Sequence, residues 1–176
     1  MEQTSSGLSR DQFPLTEFFI EELSDIYGAE KQLAQVLPKL RKAATSPDLA
    51  LAFADHLGVT QNHISRLEQI FEALGRKPEA KKCDGMEGLI KEGETVIQHT
   101  EVGSATRDVG LIISAQKVEH YEIAAYGSLR QLAKTIDKAE ISKLLEQTLQ
   151  EEKETDMLLS NLAETLINQD ASTEVR

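Results

Sequence analysis

Tryptophan is absent from this chain, and cysteine and proline are scarce, with one cysteine and four prolines. A lone Cys83 cannot close an internal disulfide, which points to a reducing compartment and excludes the disulfide-stapled secreted folds. Scarce proline leaves long segments free to be helical. No apolar run approaches the roughly 18–20 residues of a membrane span. The first residues, MEQTSSGLSRDQF, lack the basic-then-apolar order of a secretory signal. Basic residues are also in deficit: the net charge is −11, which argues against nucleic acid or an anionic membrane as partner. The expectation is a cytoplasmic, soluble, single-domain protein of 176 residues.

What is abundant is alanine, leucine, glutamate, lysine and glutamine, all helix formers. From Leu15 an apolar stripe runs through Phe19, Leu23, Ile26, Leu33, Leu37 and Leu40, interrupted by Glu30. Pro38 falls inside it and should bend the helix. Ser46-Pro47 signals a restart, with Ser46 as N-cap. A second stripe carries Leu49, Phe53, His56, Thr60, His63, Leu67 and Phe71 up to Gly75, a residue suited to a left-handed cap. Residues 76–85 read as a loop, residues 86–99 as a short amphipathic helix, and Gly103-Ser104 as a break. A third long helix is expected over 105–135 and a fourth over 137–168. Residues 1–14 and 169–176 read as tails around a bundle of 15–168.

The two short turns make antiparallel hairpins, while the middle connection is long enough to return along the bundle. The predicted fold is all-α: a ferritin-like four-helix bundle with one long crossover carrying a short fifth helix. Two similar hairpins also hint at an internal repeat.

The third helix organises the chain. Ile112, Ala115, Glu119, Glu122, Tyr126 and Leu129 recur three or four residues apart, so two carboxylates share an otherwise apolar face. Burying them together costs several kcal/mol, on the order of 3–5, unless a cation compensates. Counting from a turn near residue 45, Glu30 lies level with Thr60 and His63, with His56 about 6–7 Å along the axis. Counting from a turn near residue 136, Glu119 and Glu122 lie level with Glu152 and Asp156. The inward polar residues all fall at mid-bundle. Taken alone, His56 reads more simply as a hydrogen-bonded core histidine, Glu151 as solvated, and Asp25 with Tyr27 as a local hydrogen-bonding pair. Cys83 reads as a buried or semi-buried thiol, although Lys81 and Lys82 beside it would favour a thiolate. Jointly, Glu30, His63, Glu119, Glu122 and Glu152, with Asp156 and His56 at the margin, read as ligands for iron or manganese, with zinc also compatible.

The segments DIYGAEKQL, HLGVTQNH, KKCDGMEGLI, QKVEHYEIAAYG and LQEEKETD give the chain, over about 15–163, a resemblance to the YciF-type bacterial stress proteins. The resemblance implies a rubrerythrin-related bundle that forms homodimers around a di-metal centre, with no established reaction. Di-iron bundles supply one Glu from each of two helices and Glu-x-x-His from the other two. Here Thr60 stands before His63 where Glu is expected, and Thr155 follows Glu152 where His is expected. Gly58 and Val59 also replace acidic residues often found in relatives. A single metal or a loosely held pair is the expectation, with weak ferroxidase or peroxide-consuming activity. The competing class is a non-enzymatic dimeric interaction module whose buried polar residues no longer bind metal.

Overall fold

The computed structural model describes residues 14–175; the tail expected over 1–14 lies outside them apart from Pro14. Helix α1 spans Pro14–Ala43, α2 Pro47–Ala73, α3 Asp84–His99, α4 Ala105–Thr135 and α5 Ala139–Leu162. One π-helical turn, Ala163–Ile167, joins α5 to α6, Asn168–Thr173. The described residues contain no strand.

Each apolar stripe becomes core. Phe19, Leu23, Ile26, Leu33, Leu37 and Leu40 of α1 meet Leu49, Phe53, Leu67 and Phe71 of α2 and Leu111, Ile112, Tyr126 and Leu129 of α4. α1 runs unbroken through Pro38. Ser46 caps α2 by accepting from Leu49 N, and Gly75 sits at φ +67° just beyond the end of that helix. The first turn is then pinned to α4, because Asp108 accepts from Thr45 N at 2.8 Å and Ser46 N at 2.6 Å.

Side-chain pairings give the helix directions. Thr45 beside Asp108 and Glu30 beside Tyr126 run α1 antiparallel to α4. Arg66 with Thr148 and His56 with Thr155 run α2 antiparallel to α5. With both hairpins antiparallel, α2 and α4 are parallel, as the long crossover requires. α3 packs outside the bundle against α4 and α1.

Two glycines permit that crossover. A Cβ on Gly28 would lie 1.8 Å from the Lys81 carbonyl oxygen, and one on Gly110 would lie 2.5 Å from Val96 Cγ1. The chain crosses α1 directly over Gly28, where Lys81 N donates to the Ser24 carbonyl at 2.9 Å. Backbone cannot yield as a side-chain tip can. Gly28→Ala is therefore expected to destabilise by at least about 1–3 kcal/mol, measured as a lower urea midpoint.

Two expectations change and one holds. Residues 169–175 do not fray: helix continues to Thr173, and Glu174 accepts from Ala105 N at 2.8 Å and Thr106 N at 3.0 Å. An anion at a helix N-terminus satisfies otherwise unbonded N–H groups. Asp25 and Tyr27 do not pair; Tyr27 donates to Glu68 at 2.7 Å, and Asp25 accepts from Tyr121 at 3.1 Å. Cys83 holds to the expectation of a buried thiol and is not a thiolate drawn out by Lys81 and Lys82. It is buried, caps α3 by accepting from Met86 N, and lies 2.9 Å from the Tyr121 hydroxyl. Burial pushes its thiol up, away from the thiolate.

Candidate metal centre

Four helices deliver ionisable side chains to one level, each from the buried stripe: Glu30 from α1, His56 and His63 from α2, Glu119 and Glu122 from α4, Glu152 from α5. None is more than 6% exposed. They form two groups, Glu30–His63–Glu152 and His56–Glu119–Glu122–Glu152. Within each group one potential ligand atom per residue lies within 4.8 Å of all the others. Glu152 belongs to both. His63 Nδ1 is 3.2 Å from Glu30 and 3.0 Å from Glu152, while His56 Nε2 is 3.4 Å from Glu119. The Tyr126 hydroxyl donates to Glu30 Oε1 at 2.5 Å.

Desolvation governs the charges. Burial raises Glu119 and Glu122 well above the ordinary carboxylate value, and repulsion from Glu152 adds to it. Burial also raises Glu30, although His63 beside it pulls part of the way back. For His63, burial alone would lower the pKa, but the Glu152 and Glu30 carboxylates outweigh it and hold the imidazole up at about 10. Burial lowers His56.

Most of these groups have no hydrogen-bonding outlet. Glu30 Oε2, Glu119 Oε2, both oxygens of Glu122 and of Glu152, His56 Nε2 and His63 Nδ1 are buried without a hydrogen-bond partner. The Glu30 and Glu152 carboxylates lie close to His63 Nδ1, yet neither completes a hydrogen bond with it. Buried polar atoms are satisfied in the great majority of cases. So many unsatisfied together, most of them carboxyl oxygens, form the environment that a di- or trivalent cation would complete. The residues present fit such an ion.

A further layer was hidden in the sequence. Glu151, expected in solvent, accepts from Arg66 at 2.8 Å and 3.1 Å and lies 2.9 Å from His63 Nε2. Burial would raise Glu151, but the Arg66 and Gln147 hydrogen bonds outweigh it and hold it low. An anionic Glu151 keeps the proton on His63 Nε2 and turns Nδ1 toward the carboxylates. Arg66, three residues after His63 on the same helix, was the overlooked signal. Glu151→Gln is expected to weaken metal binding about 10–100-fold, measured by calorimetric titration.

Asp156 stays outside both groups, accepting from Gln116 at 3.1 Å and facing His120 at 3.5 Å. Thr155 turns its hydroxyl to the Glu151 carbonyl and stands 3.5 Å from His56 Nδ1. Thr60 Oγ1 is buried without a partner. His56, doubtful as a ligand from its height along α2, reaches Glu119 across the core.

The sequence pattern of the family described as "Domain of unknown function (DUF892)" matches residues 14–172. The chain belongs to the DUF892 family. Another relative is protein YciF of Escherichia coli (strain K12), 45% identical over 161 residues, spanning 91% of this chain and 96% of that one. The crystal structure of the E. coli stress protein YciF superposes with a TM-score of 0.84 at 46% identity, covering 88% of this chain and 98% of that one. YcfI, described as a putative structural protein from Rhodopseudomonas palustris, superposes with a TM-score of 0.80 at 38% identity, covering 88% and 98%. The all-helical bundle read from the stripes is thus shared with these solved structures. No helix among the described residues is long and apolar enough to cross a membrane.

Proposed function

We propose that this protein is a ferritin-like metal-binding protein of the stress-protein kind, whose bundle core holds one or two iron or manganese ions. The observation that carries this reading is the set of buried, unpartnered carboxylate oxygens arranged as two groups that share Glu152. Glu30, His63 and Glu152 would hold one ion; His56, Glu119, Glu122 and Glu152 would hold the other. The donors are carboxylate and imidazole, with Cys83 in neither group, which suits iron or manganese over softer metals.

Such an ion supplies one-electron chemistry toward oxygen or peroxide when bound. The chain's own residues do the positioning. Arg66 clamps Glu151, Glu151 fixes the His63 ring, and the Tyr126 hydroxyl orients Glu30. The buried site keeps bulk water from competing for these contacts.

Elemental analysis of protein purified without chelator is the test. Iron or manganese bound in a fixed ratio to protein, and restored by dialysis after removal, is the expected result. A chain that takes up neither iron(II) nor manganese(II) loses this function and is left as a non-enzymatic interaction module.

A further inference from the structure

Beside the metal centre, on the side of the first turn, the bundle holds a partly open cavity of about 30 Å³ to which α1 to α5 all contribute. Leu37, Phe53, Ala115 and Leu159 line its inner part, and Leu158, 45% exposed, carries the lining to the surface of α5. Four polar side chains also line it. The Ser114 hydroxyl is spent on the Gly110 carbonyl, and the Thr155 hydroxyl on the Glu151 carbonyl. The other two are His56 and Glu119, which belong to the metal centre.

The chemistry of the lining selects its occupant. A buried water takes two to four polar partners, and away from the His56–Glu119 end the walls offer only the oxygens of two hydroxyls that already donate to carbonyls. The volume is about two to three times the roughly 10–15 Å³ that one water needs, and far below the roughly 300–1,000 Å³ of a pocket for a larger ligand. Apolar cavities of this kind take up small apolar guests such as xenon.

We propose that this cavity is a binding site for a small apolar gas molecule, of the size of dioxygen, which it presents to the His56–Glu119 corner of the metal centre. Gas binding stands on the cavity alone; presentation to an ion rests on the metal-binding reading above. The arrangement gives an uncharged oxidant a route to the centre separate from any polar path.

Xenon is the probe, applied to crystals of the metal-free protein under pressure and to the protein in solution by xenon NMR. Ala115→Leu and Ala52→Leu fill the cavity from α4 and α2 and replace no proposed ligand, and two variants guard against one that fails to fold. The expected result is xenon between Leu37, Phe53 and Ala115 in wild type, lost in each folded variant, with metal uptake unchanged. In iron(II)-loaded protein the same variants should slow oxidation by dioxygen. No xenon in wild type, or xenon retained in both variants, overturns the proposal. Xenon binding by a wild type that takes up no metal overturns the metal reading and the presentation step, so the two failures are told apart.

Discussion

Iron(II) or manganese(II), supplied at about 100 times its dissociation constant, is expected to raise the melting temperature of the metal-free protein by about 5–10 °C. The estimate follows from linkage: ligand at that excess contributes about 2.7 kcal/mol, and each kcal/mol moves a chain of this size by about 2–4 °C. The physical source is the burial and mutual repulsion that hold protons on Glu119 and Glu122, beside Glu30 and Glu152, in the metal-free core. A cation converts that repulsion into attraction. Glu119→Gln keeps the volume and removes one buried ionisable carboxyl, so it should do two opposite things. In chelator it should melt above wild type, and with metal it should gain much less. Scanning calorimetry of both proteins, with and without chelator, reads all four values. A wild type indifferent to metal, beside a stabilised variant, would leave the carboxylates as a relic.

The metal-free protein is expected to lose stability as pH rises from about 6.5 to 9, by on the order of 3 kcal/mol. His63 is held up at about 10, so its contribution is full below the unfolded value of 6.5 and is lost as pH climbs through the folded one. Glu119 and Glu122, also raised, act in the same direction from their unfolded value of 4.5 upward. His56 is lowered, so its effect is the reverse: stability gained as pH rises toward 6.5, and nothing more above it. Above that pH His56 no longer opposes the loss. Metal should invert the trend, because carboxylates must shed their protons to bind it, and uptake strengthens as pH rises. Urea midpoints at several pH values, in chelator and in manganese(II), check both slopes. A metal-free midpoint that rises steadily with pH would contradict the protonated core.

Much of this was legible because helical periodicity is a local property. Glu30, Glu119, Glu122 and Glu152 each break an apolar stripe, and counting residues from the turns places them at one height. The same counting made α2 and α4 parallel, since only a long crossover can connect them so. Capping at Ser46 and the left-handed Gly75 follow from chain geometry within one turn of helix. These features depend on residues close in sequence, and sequence alone determined them.

Rotation about a helix axis, and the choice of partner across the core, are not local. Glu151 and Glu152 are adjacent on α5. A turn of about 100° between neighbouring residues sends one into the core and the other to the α2 boundary, where only packing supplies Arg66. Asp156 lies one turn beyond Glu152, yet Gln116 of α4 draws it away from both groups. His56 lay at the wrong height for Glu30; Glu119 comes within its reach only because the bundle cross-section sets them facing each other. Cys83 stands between charged neighbours in sequence and is buried all the same, because the crossover presses onto α1 over Gly28. The sequence by itself determined that Glu30, His63, Glu119, Glu122 and Glu152 face inward at one depth. Tertiary structure decided which of them meet, because contacts between helices depend on axial rotation and packing that no single stripe encodes.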